Sequence, residues 1–243
     1  MNDMIRIVHL YSDIMNLYGE YGNVRILKDR LGKCGLEAEI VAHRFGDAVN
    51  LEDASFIYAG AGTENKFFRV LEDVLKYKSE LESYISDGGL GLFTGTACDL
   101  TAKEIKVKDG GVFTGLGIFE DVCEIDKSVR FTGDVICSSA LFPQSVVGFI
   151  NKSSNTTVAG EPLFKVDHQF MNLFIPDVDG SYKNGFLATH LIGPILVKNP
   201  PMLEYFVKKL CEANGAEYAE TESDEAMKAY ETGLANLLGA RNF

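Results

Sequence analysis

The chain has no excess of basic residues, no closely spaced cysteine pair and no long apolar run, and each absence closes off a class of protein. Lys and Arg number 23 against 35 Asp and Glu, a formal net charge of −12. Such a surface repels phosphate backbones and anionic headgroups, so nucleic acid is not an expected partner. The five cysteines, Cys34, Cys98, Cys123, Cys137 and Cys211, form no CxxC pair, which fits reduced thiols in a cytoplasmic protein better than a zinc or disulfide framework. The four histidines, His9, His43, His168 and His190, show no HExxH spacing, so no metal is expected. No window approaches the roughly 18 apolar residues of a membrane span, and the apolar run in MNDMIRIVHLY is too short for a secretory signal. GxxxxGK[ST] is absent, and GAGTEN fails GxGxxG, so a nucleotide cofactor has no motif support and none is expected.

What is present is a patterned globular sequence. With 46% apolar residues over 243 positions, the chain can bury a full core. Four β-rich runs, IRIVHL (5–10), AEIVAHRF (38–45), SFIYAG (55–60) and GLGLFTG (89–95), alternate with helical patterns. Val24, Leu27 and Leu31 mark one helix, and Phe67, Leu71, Val74, Leu75, Lys78 and Leu81 continue a single stripe along a longer one. Strands alternating with helices predict right-handed βαβ units and a parallel sheet covered on both faces. After residue 110 the runs GVFTGLGIF, RFTGDVICS, SVVGFINKSSNTTVAG and NLFIPDVDGSYKNGF predict added strands and hairpins, with SSNT and DVDGSYKNG as turns. Two helices close the chain. One runs from Pro201 to Asn214; the other, from Ser223 to Leu238, has Ser223 as its cap and Ala226, Tyr230, Leu234, Leu237 and Leu238 as its apolar stripe. The acidic stretch AEYAETESDEA (216–226) reads as a solvated face. No Pro/Gly/Ser linker divides the chain, so residues 1–243 are read as a single domain.

In an open α/β sheet, ligands bind beyond the carboxyl ends of the strands. Four segments lie there: LYSDIMNLYGEYGN (10–23), YAGAGTENK (58–66), LFTGTACDLT (92–101) and NGFLATHLIGPILVKNPP (184–201). Each has a plain reading, as a capped turn, a tight glycine turn, a small apolar filler or a core histidine. The chemical alternative is a Cys98 nucleophile with His190 as its base, and Gly60 and Gly62 offering backbone N–H groups to an oxyanion.

Beyond these readings, LYSDIMNLYGEYGNVRILKDRL, YAGAGTEN, the run from GLGLFTG through DGGVFTGLGIFEDV, and ATHLIGPILVKNP occur in the order seen in a known family. Over about residues 4–205 the chain resembles the glutaminase subunit of lipid II isoglutaminyl synthase, in the cobyric-acid-synthase-like branch of class I glutamine amidotransferases. The resemblance implies a flavodoxin-like, doubly wound α/β fold with a mostly parallel sheet and extra strands in the second half. It also implies an ATP-dependent Mur-ligase-like partner in a heterodimer that amidates the D-glutamate of the lipid II stem peptide, with glutamine as the ammonia source and a Cys–His pair as the catalyst.

Both catalytic motifs of that family depart here. Its cysteine lies in a stretch resembling C-G-G-Y-Q-[FL]-L-G. Anchored on Gly115-Leu116-Gly117, that position falls on Gly95, or on Thr94 if the register slips by one, and Cys98 sits three residues later. Its histidine lies in one resembling G-T-Y-L-H-G-P, and anchored on Gly193-Pro194 that position is Ile192, with His190 two residues earlier. Three helical residues rotate a side chain by ~300° and raise it by ~4.5 Å, so Cys98 is out of register. Residues two apart on a strand share a face about 6.5 to 7 Å apart, so His190 is expected in the same cleft as Ile192. Gly60, Gly62 and Arg130, which stands at a position resembling the family's glutamine-contacting arginine, are retained. Three readings follow: a catalytically degenerate subunit that keeps fold and partner, an active glutaminase using displaced Cys98 and His190, and an unrelated small-molecule-binding α/β protein. Glu64 and Asp99 are further candidates for an acquired role.

Overall fold

The computed structural model describes residues 4–220 and 224–239. Its first hundred residues alternate strand and helix except between β2 and β3, which a loop joins. Strand β1 (Ile5–His9) is followed by α1 (Tyr21–Lys33) and β2 (Ala38–Ala42), then β3 (Phe56–Ala59) by α2 (Glu64–Val74), α3 (Lys78–Ser86) and β4 (Leu90–Thr94), and α4 (Thr96–Leu100) follows β4 directly. The single long helix expected across 67–81 is broken by a 3-10 turn at Leu75–Tyr77, which lets Val74 and Leu81 both reach the core from separate helices.

The second half supplies β5 (Glu104–Val107), β6 (Gly111–Thr114), β7 (Val122–Ile125), β8 (Phe131–Ser139), β9 (Phe142–Lys152), β10 (Ser154–Thr157), β11 (Pro162–Met171), β12 (Val178–Lys183) and β13 (Phe186–Thr189). The helices α5 (Ile195–Lys198), α6 (Pro200–Ala213) and α7 (Asp224–Gly239) complete the described chain. The main sheet has the order β2-β1-β3-β4-β13-β12-β11-β8-β9. Its first five strands pair in parallel and the remainder are antiparallel additions. A second sheet, β10-β7-β5-β6, stands beside it.

Strands β1, β3 and β4 are buried almost throughout because helices cover both faces of the sheet. On one face Val24, Leu27 and Leu31 of α1 and Phe206 and Val207 of α6 pack on Ile5, Ile7 and Phe56. On the other, Phe67, Val70 and Leu71 of α2 and Leu81 and Ile85 of α3 pack on Val8, Ile57 and Phe93. Pro200 and Pro201 open α6, where their missing N–H groups cost nothing.

Two segments expected to be turns are strands. SSNT contributes to β10, with only Ser153 between it and β9, and DVDGSYKNG contains β12, with the turn confined to Asn184 and Gly185. The polar residues that signalled a turn are buried: Ser154, Asp179 and Ser181 are each at most 4% exposed. Gly180 belongs to this strand because its φ is +74° and a Cβ there would lie 2.3 Å from the Ala188 carbonyl oxygen. Of the stripe expected on α7, only Tyr230 is buried, and Leu238 is 40% exposed. The capping role expected of Ser223 lies outside the described residues.

Candidate functional site: a strand-to-helix elbow

At the carboxyl end of β4 the chain turns into α4 through Gly95, whose backbone has φ +57° and ψ −129°. That conformation is the sharp elbow that lifts a nucleophile over a sheet, and it strains any residue with a Cβ. A Cβ at Gly95 would lie 2.7 Å from Ala61 Cβ and 2.8 Å from Ile192 Cγ2. The space above the elbow is therefore filled by two apolar side chains. Ile192 is 1% exposed and is held by its N–H to the Phe149 carbonyl at 2.9 Å. Neither Gly95 nor Ile192 carries a group that can attack a carbonyl or accept a proton.

The glycine loop after β3 is committed to packing. The Gly62 N–H donates to Thr96 Oγ1 at 2.8 Å, so its donor is already used inside the molecule. A Cβ on Gly60 would meet the Met15 carbonyl and Glu20 Cβ at 2.9 Å, and one on Gly62 would meet Met15 Sδ at 2.3 Å. The segment before α1 thus needs glycine here whatever the chemistry.

Beneath the elbow lies a group that sequence reasoning missed. Glu20 is fully buried; its Oε2 accepts hydrogen bonds from Thr94 Oγ1 and from Tyr58 OH (2.7 Å), and its Oε1 accepts one from the Gly193 N–H at 3.0 Å. Asn23 donates to Tyr58 OH at 2.8 Å and accepts from the Leu196 N–H at 2.8 Å. Burial pushes the Glu20 carboxyl above its ordinary range, against the opposing pull of these donors. The network joins the β1–α1 loop to both flanks of the elbow, Thr94 and Gly193. Its signal was the lone acid within NLYGEYGN.

The displaced pair is brought together, but not as a dyad. His190 Nδ1 faces Asp179 Oδ1 at 2.7 Å and Nε2 faces Asp99 Oδ1 at 2.9 Å, with all three side chains buried. Asp179 also accepts from Thr189 Oγ1 at 2.6 Å and lies 3.8 Å from Lys152 Nζ. Asp99 accepts from Ser154 Oγ at 3.0 Å and from Cys123 Sγ at 3.2 Å. Burial and Lys152 push the imidazole pKa down, whereas Cys98, Asp179 and Asp99 push it up and prevail. The protonated imidazole of His190 is thus favoured by the two carboxylates that flank it. Burial holds the Cys98 thiol above its ordinary pKa, with His190 only partly offsetting it. Each ring nitrogen of His190 thus faces a carboxylate oxygen, and its pull on the Cys98 thiol works against burial. His190 therefore belongs to this network.

Arg130 sits at the mouth, with its Nη1 hydrogen-bonded to Glu64 Oε1 and its Nε to Asn151 Oδ1 at 2.5 Å. Asn151 Nδ2 donates to Tyr18 OH at 2.9 Å, and Ser153 Oγ to Glu64 Oε1 at 3.2 Å. The cavity between Glu64, Thr96, Asp99 and Ser154 measures about 10 Å³, room for one water and far too small for an amino acid. No cluster of three or more potential metal ligands occurs among the described residues, and no described helix is long and apolar enough to cross a membrane.

A mostly parallel sheet core with a strand-to-helix elbow at its carboxyl edge defines a class, and the comparisons agree: the fold is that of the glutamine amidotransferases. A solved glutamine amidotransferase superposes with TM-score 0.53 at 18% identity, covering 86% of this chain and 98% of that one. By sequence the chain is similar to the GatD subunits of glutamine-hydrolysing lipid II isoglutaminyl synthase from two bacteria. It is 29% identical to the Staphylococcus aureus (strain N315) protein over 90% of both chains, and 24% identical to the Streptococcus pneumoniae (strain ATCC BAA-255 / R6) protein over 80% of this chain and 76% of that one. No protein-family model matches.

Proposed function

We propose that this chain is the amidotransferase-fold subunit of a cytoplasmic two-subunit enzyme that amidates the D-glutamate of the lipid II stem peptide. In this reading it works as one unit bound to an ATP-dependent Mur-ligase-like partner and does not itself hydrolyse glutamine. The observation that carries the second half is the elbow: its backbone is intact, its apex is Gly95, and Ile192 and Ala61 occupy the nucleophile's space. Arg130, which would orient a glutamine, is engaged by Glu64. The ligase would then draw on free ammonia, with this subunit holding the complex together.

The test is labelling with 6-diazo-5-oxonorleucine, which alkylates amidotransferase cysteines, alongside an assay of glutamate release, with and without a candidate ligase. We expect a stable complex, no adduct and no release, while an active amidotransferase labels in parallel. A second reading, glutamine hydrolysis through Cys98 and His190, is favoured by the adjacency of thiol and imidazole. It requires an adduct on Cys98 and glutamate release that Cys98→Ala abolishes, and that result would overturn the first reading.

A further inference from the structure

On the face of the sheet away from α2, the end of α1 meets the end of α6 around a buried arginine. Arg30 forms a bidentate pair with Glu204, its Nε to Oε1 at 2.7 Å and its Nη2 to Oε2 at 2.8 Å. Its Nη2 also donates to the Ala219 carbonyl, and its Nη1 to Cys34 Sγ at 3.1 Å. Tyr218 closes the group, its ring 5.3 Å from the guanidinium and its hydroxyl 2.5 Å from Glu204 Oε2. Cys34 caps α1 in a half-buried position, where its sulfur also reaches the Ala219 carbonyl at 3.9 Å. Behind it, in the last turn of α6, Cys211 is 1% exposed and belongs to the apolar cluster against which Cys34 packs, and the two thiols are close enough to influence each other's ionisation.

Two neighbouring thiols, one reachable from solvent and one not, are placed as an attacking and a resolving cysteine. We propose that Cys34 and Cys211 form a peroxide-sensitive thiol pair that closes to a disulfide joining α1 to α6. The Cys34 sulfur attacks a hydroperoxide oxygen; the S–O bond forms, the O–O bond breaks, and the leaving oxygen departs as water or alcohol, giving a sulfenic acid at Cys34. Cys211 then attacks that sulfur; the S–S bond forms, the S–O bond breaks, and water leaves. Two electrons pass from the two sulfurs to one peroxide. Closure removes the Cys34 S–H from the Ala219 carbonyl, so the segment leading towards α7 loses one of its ties to α1.

The remaining cysteines serve as internal controls: Cys98, Cys123 and Cys137 are all buried, and none has the half-exposed position of Cys34. The test is to treat the intact protein with hydrogen peroxide, count thiols after denaturation, and map linkages in a non-reduced digest. The expected result is a fall from the five thiols of the sequence to three, a Cys34–Cys211 linked peptide, and full recovery with dithiothreitol. In Cys211→Ser the reaction stops at a Cys34 sulfenic acid that dimedone traps. Persistence of five thiols under conditions that oxidise glutathione, or linkage of Cys34 to any other cysteine or to a second molecule, would overturn the proposal.

Discussion

At Gly95 the chain keeps a conformation that only glycine holds without strain. A side chain returned to this position meets both the backbone penalty and the filled space above it. Gly95→Cys is expected to lower stability by roughly 1–3 kcal/mol in urea unfolding, since left-handed strain alone costs that much. Combined with Ile192→His, which puts an imidazole where the isoleucine presses, the same cysteine is expected to become alkylated by 6-diazo-5-oxonorleucine. A folded double variant that stays unlabelled would mean that the closed mouth at Arg130 and Glu64, rather than the missing pair, keeps glutamine out. His190 poses the opposite case. His190→Ala leaves Asp99 and Asp179 buried with Lys152 as their one cation among the described residues, and the loss is expected at about 3–5 kcal/mol. A loss under ~1 kcal/mol would show that the carboxylates simply take up protons. The sequence singled out Cys98 and His190 but not their companions, because Asp99, Asp179, Lys152, Ser154 and Cys123 come from five elements and meet only through the topology of two sheets. Ile192 was placed from the adjacent Gly193-Pro194, and Gly95, with Thr94 as the alternative, from the downstream Gly115-Leu116-Gly117.

Elements whose side chains point into apolar core were readable from periodicity, as in β1, β3, β4 and α1. Strands that bury polar groups were not. In β10 and β12 the serines and aspartates that fill the ionic network carry the same letters as a turn, so period and composition pointed the wrong way. The helix α7 shows the converse: its apolar stripe is genuine, yet Tyr230 alone is buried, anchored by its hydroxyl to the Ser145 carbonyl at 2.7 Å. Tyr230→Ala is expected to bring α7 amides close to the exchange rates of unstructured chain while costing only about 1–2 kcal/mol overall, the value of one hydrogen bond and part of a ring. Equal loss of protection in α6 would show that the two helices unfold as one unit.

For the whole molecule, buried ionisable groups set the pH range of stability. His9 is fully buried between Tyr21 and Tyr58, and burial lowers its pKa from 6.5 to about 4. Below pH 6.5 the unfolded chain therefore binds a proton that the folded one refuses. About 3 kcal/mol of stability is lost between pH 6.5 and 4. Asp99 and Asp179, whose carboxyls His190 holds below their ordinary range against burial, add a further loss below about pH 4. The raised His190 works in the other direction: its contribution is complete below 6.5 and fades only as pH rises through its elevated pKa. Urea midpoints are expected to fall from pH 7 to pH 5, and His9→Phe is expected to flatten that slope. An unchanged slope in the variant would assign the acid sensitivity elsewhere.

The ionic network described above contains two carboxylates, one ammonium and one imidazolium, so it is neutral within itself. Most of the formal −12, which counts histidine as neutral, lies outside this network, largely on surface acids that dissolved ions screen, while the network lies beyond their reach. Raising ionic strength should therefore firm up the fold by relieving the mutual repulsion of surface acids. The penalty of His190→Ala should be the same in dilute buffer and in molar sodium chloride.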